Sequence, residues 1–330
     1  MGISAGRFER EPPCRSPSRT AVVGLAVFVL LTTADSALAW GPATHVQIAT
    51  DVLGQLALLP TTLALLLSRH ALAYVYGNIA ADVVFAKRLS RVKQFCHHWA
   101  TGFRLLEDAD GDEAASFAYG YLSHLAADTV AHGKYVPRQI ALTNCTINFG
   151  HFYWELRADA LAGRQAYRRL GAILGKDHSA HHTAMAGRLT DTFLPYDLNR
   201  VLFDRFSQMT VGQGSRRTME VIARCSRYDL SGDLVDRYRA ECVDRALSLL
   251  TEGDRCPLLR EDPNGSGALI QSRLTRRDLR RLRRRGHPVE GYVKEMARSL
   301  DPLVILPPDG TPFDGKTDSR HLSFVSSGGM

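Results

Sequence analysis

Residues 124–132 read His-Leu-Ala-Ala-Asp-Thr-Val-Ala-His, and this stretch decides both the fold class and the chemistry expected of the chain. Its spacing puts His124, Asp128 and His132 at positions i, i+4 and i+8 of one helix, so the three side chains share a face. Apolar residues occupy the other faces of the same helix. The pattern therefore predicts a buried row of ligand-type side chains rather than an exposed polar surface.

A second predicted helix carries His-Phe-Tyr-Trp-Glu, which places His151 and Glu155 one turn apart. Zinc binds imidazole nitrogen and carboxylate oxygen, and two ligands one turn apart can reach a single ion. Upstream, Asp82 precedes a Cys-His-His-Trp segment in which either His97 or His98 can serve as a ligand. Together these residues predict a metal centre built between helices.

Apolar residues recur with a helical period from residue 40 onward, and strand-like alternation is scarce, so we predict an all-α, multi-helix fold. The stretch 256–267 is rich in Pro, Gly and polar residues and indicates a domain boundary, and the tail from residue 307 has the composition of a disordered segment. The predicted helices span residues 43–58, 61–69, 71–86, 91–107, 112–134, 148–166, 182–197, 214–226, 231–252 and 275–284.

Residues 1–39 have the features of a secretory signal peptide. Four arginines precede an apolar run at residues 21–31, and Ala-Leu-Ala at 37–39 is typical of a cleavage site. The run is shorter than the roughly 20 residues that a membrane-spanning helix needs. We therefore expect an exported protein, secreted or periplasmic, with a catalytic domain at 40–255 and a basic helical segment and disordered tail at 256–330.

The formal net charge of +7 is unevenly distributed, because eight arginines lie within Arg273–Arg285. Such a run is either a solvated helix face or a contact for anionic surfaces. Five cysteines would remain after removal of the signal peptide, and export permits a disulfide between two of Cys225, Cys242 and Cys256. The chain has no Cys-x-x-Cys motif, which argues against a thiolate zinc site.

The order of these motifs resembles the zinc-dependent phospholipase C family, which is related to the single-strand-specific nucleases of fungi and plants. The resemblance rests on Trp-Gly-x-x-Thr-His at the cleavage site, an Asp, His-x-Trp, His-x3-Asp-x3-His and His-x3-Glu, and it covers residues 40 to about 160. The His-x-Trp register set by Trp99 favours His97 over His98. The nine matching positions are Trp40, His45, Asp82, His97, His124, Asp128, His132, His151 and Glu155.

What the resemblance implies is a trinuclear zinc site. One ion would be held by Asp82, His97, His124 and Asp128, and a second by His132, His151 and Glu155. The third would be held by His45, by the bridging carboxylate Asp128, and by Trp40 through its free amine and carbonyl oxygen. Asp82 and Asp128 are the residues expected to act in catalysis.

The expected activity is phospholipase C-like hydrolysis of a phospholipid or related phosphate ester by metal-activated water. The second possible enzymatic activity is that of a single-strand nuclease or nucleotidase. In such an enzyme, aromatic side chains near the metals would stack on bases, unless they pack in the core. The candidate aromatic residues are Phe149, Phe152, Tyr153 and Trp154. The third possible function is that of a zinc-stabilised binding module without catalytic activity. The short Trp-x4-His spacing resembles the nucleases, whereas Glu155 in place of Asp resembles the phospholipases. The sequence does not predict an oligomeric state.

Overall fold

The computed structural model describes residues 40–84, 95–143, 147–189, 195–211, 221, 224–226 and 228–293. Within these ranges the chain forms helices and no strand, so the all-α prediction is confirmed. None of the described helices is both long enough and apolar enough to cross a bilayer. In chain order the α-helices are α1 Pro42–Leu53, α2 Thr61–Arg69, α3 Ala71–Ala80, α4 Trp99–Glu107, α5 Asp112–Val130, α6 Val136–Thr143, α7 Ile147–Asp159, α8 Gly163–Leu174, α9 Ser179–Ala186, α10 Tyr196–Val211, α11 Gly232–Glu252 and α12 Ser266–Arg284.

Helix α5 is the centre of the fold, and α3, α4 and α11 pack around it. Two glycines let the backbones of α3 and α5 touch: a Cβ on Gly77 would lie 2.0 Å from the carbonyl oxygen of Phe117, and one on Gly120 would lie 2.0 Å from that of Tyr74. No other residue fits such an approach. The contact brings the carbonyl of Asn78 to within hydrogen-bonding distance of His124 on α5.

A π-helical turn at Ala131–Tyr135 separates α5 from α6. Pro137 follows at the second residue of α6 and cannot donate a backbone hydrogen bond, which the wider turn accommodates. The helical structure that was predicted to end at residue 134 therefore continues to Thr143. The turn carries His132, whose side chain groups with His151 and Glu155 and not with His124 and Asp128.

Several predicted helices have different bounds in the structure. The predicted helix 148–166 is two helices, α7 and α8, because Gly163 at φ +82° adopts a left-handed conformation that favours glycine. The prediction of a helix at 182–197 is wrong, since α9 ends at Ala186 and α10 begins at Tyr196, directly after Pro195. Helix α12 begins at Ser266 rather than near 275, and most of the predicted helix 214–226 lies outside the described residues.

Helix α12 packs against α6 and the π-turn through Leu269, Leu279 and Leu282, which are buried. The described residues beyond 255 thus contact the π-turn that carries His132, and the domain boundary predicted at 256 stays a prediction. The expected disulfide is absent, because Cys225, Cys242 and Cys256 are all free thiols. The predicted signal peptide and the predicted tail lie outside the described residues.

Candidate metal centre

The structure gathers eight of the nine predicted ligand side chains into one buried cluster. Each of the nine residues is at most 4% exposed. Within the described residues the ligand atoms form three groups, of which the first two share His124, and the atoms of a group lie within 4.8 Å of one another. The groups are His45, His124 and Asp128; Asp82, His97 and His124; and His132, His151 and Glu155.

Asp128 lies between the first two groups. Its Oδ1 is 3.5 Å from His45 Nε2, whereas its Oδ2 is 3.1 Å from His97 Nε2 and 3.2 Å from His124 Nε2. Burial opposes ionisation of this carboxyl, but the surrounding His124, His45 and His97 hold its pKa well below the ordinary value. One ionised carboxylate therefore offers a different oxygen to each group, as a bridging ligand does.

The second group places Asp82 Oδ1 3.3 Å from His97 Nε2. The same His97 nitrogen lies 3.2 Å from His124 Nε2. Asp82 lies in a 3₁₀ turn, Ala81–Val83, and is buried apart from 4% of its surface. His97 is inside the cluster and His98 is exposed, which is the register that Trp99 favoured.

The third group lies at the π-turn and α7. His151 Nε2 is 2.8 Å from Glu155 Oε1, and the His132 and His151 rings are perpendicular with centroids 4.9 Å apart. Burial raises the pKa of Glu155 to about 8, and the opposing effect of His132 is too small to cancel this shift. His132 belongs to this group and not to the one that His124 and Asp128 share.

Hydrogen bonds at the far side of three imidazoles fix which nitrogen faces the cluster. His124 Nδ1 donates to the carbonyl of Asn78 at 2.9 Å, and His45 Nδ1 donates to the Asn78 side-chain oxygen at 3.2 Å. His132 Nδ1 donates to the carbonyl of Asn264 at 3.1 Å. In each neutral ring the lone pair is then on Nε2, which is the arrangement of a metal-ligating histidine with an orienting partner.

The donor set fits divalent zinc. Within the described part of the chain, both Asp128 oxygens, His45 Nε2 and His132 Nε2 make no hydrogen bond of good geometry, although each of these residues has other ligand-type atoms within 4.8 Å. Burial lowers the pKa of His45 and of His132, which keeps both rings neutral and their Nε2 atoms unprotonated. Buried carboxylates beside neutral imidazoles need positive charge, and nitrogen and oxygen ligands are those that zinc takes.

Trp40 lies two residues before the start of α1, the helix that carries His45. Its side chain is fully buried, and its ring stacks on Tyr135 with centroids 4.7 Å apart. Asp159 fixes the beginning of this helix, since its Oδ1 accepts hydrogen bonds from Thr44 N at 2.7 Å and Thr44 Oγ1 at 2.9 Å. Only glycine fits at Gly41, where a Cβ would lie 2.3 Å from the Asp159 carboxyl carbon.

Sequence reasoning missed three residues that support the ligands. Asp159 follows Glu155 by four residues, which is the same spacing as that between His124 and Asp128. Asp159 could therefore have been predicted from the sequence. Asn78 precedes Asp82 by four residues, and this spacing too is visible in the sequence. Asn264 had no local signal, because it meets His132 only through a contact 132 residues apart in the chain.

Comparison with known proteins gives one family. The searches against curated proteins and against solved structures find no match. The model of the family described as zinc dependent phospholipase C matches residues 44–199. The match contains every predicted ligand except Trp40, which lies four residues before it. Residues 44–199 are thus similar to the zinc-dependent phospholipase C family, and the resemblance stated from the motifs is confirmed over this segment.

Proposed function

We propose that the protein is an exported, zinc-dependent phosphodiesterase with phospholipase C-like activity on a phospholipid or a related phosphate ester. The family supports phospholipase C-like hydrolysis in general. The observation that carries the proposal is the position of Asp128, whose two oxygens face two separate ligand groups. A closed structural zinc site needs no such sharing, whereas adjacent ions suit attack on a phosphate.

We propose three zinc ions, one for each group of side chains. The first group includes Trp40 through its amine, and Asp128 serves the first two groups together. When bound, zinc stabilises the negative charge of a phosphoryl transition state and lowers the pKa of water from 15.7 towards about 7. Asp82 lies at the edge of the cluster and retains a little exposure, which suits a carboxylate that orients the attacking water.

The nuclease alternative receives little support from the aromatic residues of α7. Trp154 is fully buried and donates from its indole to Thr143 Oγ1 at 3.3 Å, so it packs in the core. Tyr153 is half-buried, and its hydroxyl forms hydrogen bonds with Ser226 and with Arg157. Phe152 is half-buried, and the side chain of Phe149 lies outside the described residues. We propose a phosphate ester of a lipid as the substrate because the matching family is described as a zinc-dependent phospholipase C.

Zinc content and substrate choice test this proposal together. We expect the mature protein to hold close to three zinc ions, and a chelator should remove them and abolish turnover, because the buried carboxylates and imidazoles are arranged for cations. Elemental analysis gives the zinc content, and a panel of phosphatidylcholine, single-stranded DNA and nucleotide monophosphates gives the substrate. Active protein without zinc contradicts the proposal, and zinc without turnover of any substrate favours the binding-module reading.

We also propose that α12 contacts anionic surfaces through Arg273–Arg285. Leucines form its buried face, whereas Arg273, Arg280 and Arg284 are exposed. The nearby carboxylate of Asp278 lies 3.6 Å from Arg277 and 3.3 Å from Arg281 and offsets little of this charge. Ile270 and Leu274 are also exposed on this helix, so apolar contact with a lipid surface would accompany the electrostatic attraction.

The triple change Arg273→Gln, Arg280→Gln and Arg284→Gln should weaken binding to phosphatidylserine vesicles about a hundredfold at low salt, since each surface cation contributes to the attraction. Turnover of a small soluble phosphodiester should not change. A matched control replaces the exposed Arg69, Arg164 and Arg168 with Gln and removes the same charge elsewhere. Equal weakening in both triple variants would mean that net charge, and not this surface, attracts the vesicles.

A further inference from the structure

The turn Asp262–Gly265 lies outside the segment that matches the family model, yet it contacts the metal centre directly. The carbonyl of Asn264 accepts a hydrogen bond from His132 Nδ1 at 3.1 Å, and its Nδ2 donates to the carbonyl of His97 at 3.2 Å. His132 and His97 belong to different ligand groups. One buried residue thus touches a ligand residue in each of two groups.

Hydrogen bonds within the turn hold Asn264 in this position. Asp262 Oδ1 accepts from the Asn264 backbone N–H at 2.9 Å and from its Nδ2 at 3.2 Å, and Asp262 Oδ2 accepts from the Ser266 N–H at 3.0 Å. The preceding residue, Glu261, accepts from Trp99 Nε1 through its carbonyl at 2.9 Å and pairs with Arg245 through its carboxylate. The turn is therefore anchored on both α4 and α11.

Gly265 explains why the backbone can approach so closely. Its φ is +58°, in the left-handed region that favours glycine. A Cβ at this position would lie 2.2 Å from the carbonyl oxygen of His132 and 2.6 Å from its Cβ. Any larger residue must push the turn away from His132 and lengthen the bond to Asn264.

We infer that the Asp262–Gly265 turn is a positioning element for the metal centre, and that Asn264 orients His132 for zinc binding. The carbonyl of Asn264 fixes the imidazole tautomer and ring angle, so that Nε2 faces His151 and Glu155. Asn78 does the same for His124 and His45 from within the matched segment. The site is then completed only when a segment beyond residue 199 folds onto the helical core.

The inference rests on the proposed zinc site but not on the identity of the substrate, so the test measures metal affinity. The variant Gly265→Ala moves the carbonyl, and Asn264→Ala removes the side-chain bonds that hold it. The matched control is Gly267→Ala, two residues further on, where an added Cβ meets nothing within 4 Å. Zinc affinity is measured by competition with a chelator, with circular dichroism to confirm folding.

We expect Gly265→Ala to weaken the binding of one zinc ion by about 10 to 100-fold, the usual loss when a partner of a metal ligand is removed. Asn264→Ala should weaken the same ion less, and Gly267→Ala should bind like the wild type. In a His132→Ala background, adding Gly265→Ala should cause no further loss, because the ligand that it positions is already gone.

Wild-type affinity in a folded Gly265→Ala protein would overturn the inference, and so would a full additional loss in the His132→Ala background. If Gly265→Ala does not fold, Asn264→Ala decides: weakened binding of one ion supports the positioning role, and unchanged binding overturns it. A wild-type protein that holds no zinc overturns the proposed function as well. Retained zinc in the wild type with an unaffected Gly265→Ala variant overturns this inference alone.

Discussion

Asp128→Ala should remove more zinc than any other single ligand substitution, and hydrolysis should fall by more than about a hundredfold. The reason is geometric, because one carboxylate oxygen lies 3.5 Å from His45 and the other 3.1 Å from His97. Removing both oxygens withdraws a ligand and a negative charge from two groups together. Metal analysis after gel filtration measures the zinc loss, and turnover of a small phosphodiester measures the rate.

Glu155→Ala is the comparison variant that distinguishes a bridging carboxylate from one that serves a single ion. Glu155 lies only in the group with His132 and His151, so its loss should affect a single ion. Asp244→Ala removes an exposed carboxylate from α11 and should change neither zinc nor turnover. Equal single-ion losses in Asp128→Ala and Glu155→Ala would argue against a bridging carboxylate.

The fold class was readable from the sequence because most of the core lies on helices with a clear apolar period. Boundaries were less readable where the backbone departs from that period without a local signal. Gly163 breaks one predicted helix in two through its positive φ, and the π-turn before Val136 continues another. Both features depend on how neighbouring helices pack, which a periodic pattern does not encode.

Trp40, His45 and the choice of His97 came from the family resemblance, and Asp82 was predicted only from the ligand-type residues around it. Spacing predicted the candidate ligands His124, Asp128, His132, His151 and Glu155, because ligands on one helix must lie one turn apart to meet an ion. Their grouping did not follow from spacing. His124, Asp128 and His132 are equivalent by spacing, whereas in the structure His132 groups with His151 and Glu155, as the family resemblance implied. Asn264 was missed for a related reason, since its role comes from a backbone carbonyl brought close by long-range packing.

The second large effect concerns the N-terminus that cleavage at the predicted site would create at Trp40. Protein that begins at Trp40 should bind one more zinc ion, or bind one far more tightly, than protein that carries Leu38-Ala39 in front of it. A peptide nitrogen has no available lone pair, because resonance delocalises it into the carbonyl. A free α-amine, with a pKa near 7.7–8.0, can lose its proton and bind metal.

The structure supports this prediction by the place it gives to the first residues of α1. Trp40 is fully buried against Tyr135, and Asp159 fixes the first turn of the helix through Thr44. His45, one turn further on, lies 3.5 Å from Asp128. A ligand atom on the main chain of Trp40 would therefore come from a rigid part of the protein, which lowers the entropy cost of binding.

In the extended protein the group around His45 would retain the Trp40 carbonyl oxygen, the imidazole and Asp128, with one strong nitrogen ligand missing. Occupancy of that group should fall, and charge stabilisation at the phosphate should fall with it. Both forms are refolded with zinc and compared for metal content and turnover, and a form acetylated at Trp40 serves as control, because acetylation removes the amine without adding residues. If the extended and acetylated forms keep full zinc and full activity, the N-terminus is not a ligand, and this group consists of side chains alone.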